Sequence, residues 1–236
     1  MAGKQQGAES RRVYSAAGDE IVSRKPVLVT RYRGFTRLNH WITAGSMILL
    51  LLTGFAFFHP SLFWLTELFG GGQTTRWIHP WIGVLLFFSF LGMFVQMWHL
   101  NLPNRDDVEW AKKTRDVLQG NEESLPELGK YNAGQKTVFW GMAGAIVVLI
   151  ATGMMIWEEH FPFLVSIPVR RVAVVVHAAT ALGIFLLFLL HVYAAIWTRG
   201  TIRAMTRGTV TGGWAYRHHR KWFRELAQRS TGKQAD

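Results

Sequence analysis

The chain contains no cysteine. That removes disulfides, thiolate-held zinc, iron–sulfur clusters and thiol catalysis together, so any redox cofactor here needs other ligands. Charge is scarce too. Of 236 residues, 17% are charged, 50% hydrophobic and 14% aromatic, a more apolar balance than an ordinary soluble domain has. The scarcity is local: the windows 41–58, 81–98, 138–157 and 172–197 hold no Asp, Glu, Lys or Arg. Each approaches or exceeds the roughly 20 residues that cross a hydrocarbon core about 30 Å thick. Lipid offers no partner to an unpaired backbone group, so four such runs imply four transmembrane helices and an all-α integral membrane protein. No small-residue cleavage pattern follows the first run, which argues against a removable signal peptide. The Arg11-Arg12 pair has no apolar segment close behind it and reads as a solvated basic tail.

Negative charge is the scarcer sign, with 15 Asp and Glu against 26 Lys and Arg, a formal net charge of +11. The placement of the basic residues argues against nucleic acid. All but Arg76, Arg170 and Arg171 lie before the first run, in the connection 99–137, or after Trp197. By the positive-inside rule both termini and the connection 99–137 are cytoplasmic, and the two short connections face outward. Trp41, Trp64, Trp77, Trp81, Trp98, Trp157 and Trp197 fall near run ends, where indole rings anchor at the headgroup layer.

Three regions are expected. Residues 1–30 are a polar extension without helical or strand period, expected to be disordered to about Val27. Residues 31–200 form the four-span domain. Residues 201–236 are a basic cytoplasmic tail, "GGWAYRHHRKWFRELAQ" among them, suited to contact with anionic lipid. Within the connection, Asp106 and Asp107 are expected to cap a helix carrying Val108, Trp110, Val117 and Leu118, ended by Gly120 and Asn121. No internal repeat is evident.

Polar groups are rare in the runs, which makes "VVVHAATALGIFLLFLLHVY" informative. His177 and His191 are two heptads apart, so they lie about 40° apart on one helix face and about 21 Å apart along the axis. An imidazole at such depth is costly and normally has a functional partner. A plainer reading, two neutral imidazoles bonded to carbonyls or water, remains available for either one alone. The other spans supply histidines at matching depths: His79 at the outer level of His177, and His40 at the inner level of His191. Two pairs at two depths suit two bis-histidine hemes stacked across the bilayer. His99, rotated about 200° from His79, is the rival to His40. His59, His160, His218 and His219 are expected at surfaces. Zinc or di-iron binding is disfavoured by the separation of the pairs and by the lack of an intramembrane carboxylate.

"GFTRLNHW", "RWIHPWIG", "GNEESLPELGKYNAGQK", "VVVHAATALGIFLLFLLHVY" and "WAYRHHRKWFRE", in this order, resemble the gamma (cytochrome b) subunit of membrane-bound formate dehydrogenases. The likeness runs from about Thr30 to Gln228. It implies a four-helix bundle in the bacterial inner membrane, binding two heme b groups, with His79 and His177 ligating the outer heme and His40 and His191 the cytoplasmic one. It also implies a quinone, menaquinone or ubiquinone, bound near Asn132, Gly134 and Gln135 beside His191. Partners would be an iron–sulfur beta subunit and an alpha subunit with a molybdenum or tungsten pterin, which oxidises formate; a higher oligomer of the whole complex fits the same reading. "KYNAGQ" on its own equally suits an ordinary turn entering a helix. The main alternative is the cytochrome b of a nickel–iron hydrogenase, thiosulfate reductase or other dehydrogenase. A heme-free anchor or transporter is the further one.

Overall fold

The computed structural model describes residues 14–119 and 125–232. The expected helix end at Gly120 and Asn121 lies outside them, as do both chain ends. Four helices are long and apolar enough to cross a membrane: Gly34–Phe58, Gly72–Asn101 with its short 3-10 end, Ala133–Ile156 and Ile167–Trp197. These are the four spans. Each is longer than the charge-free window that announced it, since a helix continues into the interface while its backbone bonds still pair. Pro80 sits inside the second helix, next to His79, and has no N–H to return to the Arg76 carbonyl.

The chain divides into two compact units. One, the bundle, comprises 35–96 and 138–198; the other, a mixed unit, comprises 1–34, 97–137 and 199–236. The bundle core is Met47, Leu86, Phe90, Met93, Ala143, Ile146 and Ile184. Ile184, 1% exposed, stands midway between His177 and His191 on the fourth span. Much of the remaining apolar surface is exposed, including Leu49, Phe88, Val147, Val175 and Leu186, as expected of helices whose outer faces meet lipid rather than water. The first two spans are also joined by polar bonds. Asn39 Nδ2 donates to the Ser89 carbonyl at 2.8 Å, and Ser89 Oγ donates to Asn39 Oδ1 at 2.7 Å.

The mixed unit departs from the expected all-helical, tail-and-extension plan. Strand β1 (Ile21–Arg24) lies within the stretch expected to be disordered, β2 (Val27–Thr30) begins where that stretch was to end, and β3 (Thr209–Thr211) completes an antiparallel sheet in the order β1-β2-β3. Val29 faces Val210 in this register. Both join Ala204, Ala215, Trp222 and Leu226 in one apolar cluster. The aromatic residues interleaved with basic ones in the tail are therefore partly core: Trp222 is fully buried. The β-branched residues of IVSR and VLVT, on either side of Lys25-Pro26, were a local strand signal that the charged surroundings obscured. Asn104, not Asp106 or Asp107, caps the connection helix Arg105–Lys112, with Asp107 completing the capping box from the third position. Lys113 separates it from a second short helix, Thr114–Leu118.

Candidate functional site

In the bundle, four of the nine histidines converge as two pairs. The rings of His79, on the second span, and His177, on the fourth, have centres 6.4 Å apart and planes at 63°. Those of His40, on the first span, and His191, on the fourth, are 6.3 Å apart at 49°. Because Ile167–Trp197 is one unbroken helix, the heptad arithmetic applies and the pairs are set about 21 Å apart along it.

Two imidazoles that bind one metal ion from opposite sides, each at about 2 Å, have ring centres a little over 6 Å apart. Both pairs have this spacing. Among the described residues no group of three His, Cys, Asp or Glu is placed to hold a metal, so each pair offers two imidazoles as its donor set, and the remaining ligands would have to come from a bound group. A cavity of about 640 Å³ adjoins the first pair, lined by His79, His177, Gly54, Pro80, Gly153 and many aliphatic side chains, with Arg76, Glu158 and Glu159 its charged lining residues. Two glycines help to open it. A Cβ at Gly54 would lie 3.8 Å from His79 Cε1, and one at Gly153 would lie 3.6 Å from His177 Cε1. A flat apolar macrocycle with an iron centre fits these residues.

Two polar contacts in this region were missed in the sequence. Thr53 Oγ1 is 2.6 Å from His79 Nδ1, and Thr152 Oγ1 is 2.8 Å from His177 Nδ1. Both threonines precede a glycine, in "LLTGF" and "IATGM". That shared dipeptide was the available signal, but a threonine in an apolar helix usually bonds only its own backbone.

The "KYNAGQ" residues form a helix start. Asn132 Oδ1 accepts from the Gln135 N–H at 2.8 Å and Gln135 Oε1 accepts from the Asn132 N–H at 3.0 Å, a reciprocal capping box. The capping bonds use only the side-chain oxygens, so both amide NH2 groups remain as donors. Gly134 packs close to Trp110: a Cβ there would lie 3.2 Å from its ring.

The other histidines divide. His59 is exposed and caps the 3-10 helix Pro60–Phe69 by accepting from the Ser61 N–H. His160 is exposed and lies against Trp157 and Trp81. His99 is exposed in the mixed unit, beside Trp98, whereas His40 shares the bundle with its proposed partner. His219 is a correction. Expected at a surface, it is 1% exposed, with Nδ1 donating to the Gly129 carbonyl at 2.7 Å and Nε2 accepting from Arg31 at 3.3 Å. Burial first, then the Arg31 guanidinium, pushes its pKa well below the ordinary histidine range. Arg31 lies over the rings of Tyr32, Tyr131, Trp214 and Trp222, 5.0 to 5.6 Å from their centres. Lys130 pairs with Asp19 at 2.6 Å, and burial lowers its pKa despite that carboxylate.

Comparison with known families decides the kind of protein that carries these pairs. The sequence profile of prokaryotic cytochrome b561 matches residues 31–208. The chain belongs to the prokaryotic cytochrome b561 family. Membership implies b-type heme in a membrane helix bundle. This cytochrome is 43% identical over 208 residues to the cytochrome b556(fdo) subunit of formate dehydrogenase from Escherichia coli K12, covering 88% of this chain and 97% of that protein. It is 42% identical over 197 residues to the formate dehydrogenase cytochrome b556 subunit of Haemophilus influenzae, covering 84% and 83%. The nitrate-inducible cytochrome b556(Fdn) subunit of E. coli K12 is 36% identical over 212 residues, covering 90% and 98%. The resemblance read from the motifs is borne out by these relatives.

Proposed function

We propose that this chain is the membrane-anchoring, di-heme cytochrome b subunit of a respiratory formate dehydrogenase, linking an iron–sulfur partner to quinone reduction. The observation that carries it is the pair of matched histidine pairs, each spaced so that both imidazoles would hold one iron, in a chain so similar to formate dehydrogenase cytochrome subunits. His79 with His177, and His40 with His191, would each hold one heme b through ring nitrogens. The bound groups supply one-electron transfer. The protein's part is to hold four imidazoles on three helices, to exclude water with apolar side chains, and to separate the pairs by the buried layer around Ile184.

With the termini cytoplasmic, as the basic residues indicate, the His79–His177 end faces outward and receives electrons. Moving each electron inward against a membrane potential, negative inside, stores about 2.3 kcal/mol per 100 mV. At the quinone, the NH2 groups of Asn132 and Gln135 are the donors suited to its carbonyl oxygens, and Gly134 lets Trp110 pack against this helix start. His191 would be the ligand on that side. Quinone reduced there takes its protons from the cytoplasm. Formate oxidation belongs to a molybdenum or tungsten alpha subunit, since none of the chemistry read in this chain oxidises formate.

A second reading keeps the heme sites and changes the donor, because the family profile by itself specifies no dehydrogenase. One experiment separates the two: isolation of the intact complex from native membranes, with its subunits, metals and reduced-minus-oxidised spectrum determined together. A b-type spectrum with two hemes per chain, an iron–sulfur subunit and molybdenum or tungsten is expected. A nickel–iron partner would refute the formate assignment, and the absence of b-type bands would refute the cytochrome reading itself.

A further inference from the structure

The same arrangement occurs twice in the bundle. In the hairpin of the first and second spans, the Thr53 hydroxyl donates to the Leu49 carbonyl of its own helix at 2.8 Å while touching His79 Nδ1. In the hairpin of the third and fourth spans, the Thr152 hydroxyl donates to the Val148 carbonyl at 2.7 Å while touching His177 Nδ1. A hydroxyl has one hydrogen and a carbonyl can only accept, so both contacts are made together only when the hydrogen goes to the backbone carbonyl. Towards the imidazole each threonine oxygen can then only accept, so Nδ1 carries the proton and Nε2 keeps its lone pair. That is the tautomer a metal-binding imidazole needs when Nε2 is the ligand atom. His40 differs: its Nδ1 is buried and has no hydrogen-bond partner among the described residues.

We propose that Thr53 and Thr152 are positioning residues of the His79–His177 site, which set the tautomer of both ligands and lower the midpoint potential of the heme held there. The inference rests on the reading that these histidines ligate heme. An acceptor on Nδ1–H makes an imidazole a more basic, more electron-donating ligand, and a richer ligand field favours ferric over ferrous iron. Two such threonines act on one heme, while His40 at the other site has no acceptor among the described residues. The His79–His177 heme is thereby the lower in potential, and electrons entering at the outer end run downhill to the inner one. The threonine–glycine pairing serves both needs at once: the hydroxyl orients the ring, and the next residue leaves room beside it.

The test is a redox titration of the b-type bands in the intact complex, comparing wild type with Thr53→Val, Thr152→Val, the double variant, and the serine versions T53S and T152S. Valine keeps the shape and removes the acceptor; serine keeps the acceptor. The expected result is an upward shift of the lower midpoint in each valine variant, larger in the double variant, with the other midpoint unmoved and the serine variants at wild type. Two hemes retained and both midpoints unmoved in the double valine variant overturn the proposal while leaving heme ligation standing. Where a valine variant loses the heme outright, its serine counterpart decides: full heme content at the wild-type midpoint supports the proposal, and the same loss in serine overturns it. Absence of b heme from the wild-type complex defeats the underlying reading instead.

Discussion

The two units bury polar groups by opposite means. Among the described residues, every polar side chain buried in the bundle is a hydroxyl: Thr36, Thr43, Ser46, Thr53, Thr66, Thr75, Ser89 and Thr152. Among the described residues the mixed unit buries Arg31, Lys130, Lys136, Asn101 and His219, along with the hydroxyls of Ser15 and Tyr131. A hydroxyl can be satisfied by a carbonyl one turn back in its own helix, as Thr43, Thr53 and Thr152 are, so it needs nothing from the rest of the fold. A buried charge needs partners from distant segments. Lys130 finds Asp19, and Lys136 finds Asp107 and the Leu102 carbonyl. The lesson is that the bundle buries polar atoms its own helices can satisfy, two of which, Thr53 and Thr152, also reach a histidine, whereas the mixed unit uses its charges to join three pieces of chain.

The largest expected effects fall on the bundle. His177→Ala should remove one of two b hemes and abolish electron transfer to quinone, while His99→Ala leaves both; heme content per chain measures this, and heme loss in H99A with both hemes kept in His40→Ala would reverse the inner pairing. Gly54→Leu should empty the same site selectively by filling the cavity beside His79, seen as loss of one b-type component with the other intact.

The mixed unit should respond to charge. Asp19→Asn strands the Lys130 ammonium among aromatic rings, at a cost of about 3–5 kcal/mol. Hydrogen exchange in nanodiscs should report a loosened sheet with the heme spectrum unchanged; unchanged protection would mean that the pair contributes little. Acid should weaken this unit too. The folded His219 has its pKa depressed and stays neutral, whereas the unfolded ring takes up a proton below about pH 6.5. Stability is therefore lost as pH falls below about 6.5, by about 1.4 kcal/mol per unit until the folded ring protonates. In His219→Gln that contribution to the slope should vanish.

The smallest expected effect separates capping from catalysis at one residue. Asp at position 132 still caps the helix but has no NH2, so Asn132→Asp should slow quinone reduction about tenfold, the worth of one hydrogen bond, with hemes still reduced by formate. Asn132→Ala should add a capping loss of about 1 kcal/mol. Normal quinone turnover in N132D would remove the Asn132 side chain from the site.

Charge-free runs marked the spans because lipid penalises charge and unpaired backbone wherever they occur, and the 14-residue interval from His177 to His191 set one helix face by arithmetic alone. Local helix geometry needs no knowledge of neighbours, so it is written in the sequence. The same holds for Asn132 and Gln135, whose capping spacing is local. The matching levels of His40 with His191 and of His79 with His177 were readable because successive spans alternate in direction.

What tertiary structure alone decided is everything carried by distant segments. The aliphatic residues of Ile21–Thr30 have no evident partner until Val29 meets Val210. Arg31, Lys130 and His219 look solvated until aromatic rings from residues 32 to 222 close around them. Thr53 reads as a small residue in an apolar run until its oxygen faces an imidazole 26 positions on. Periodicity and composition constrain how one segment sits in lipid or water; which atoms of two segments meet depends on side-chain packing across the fold, and that has no local signature.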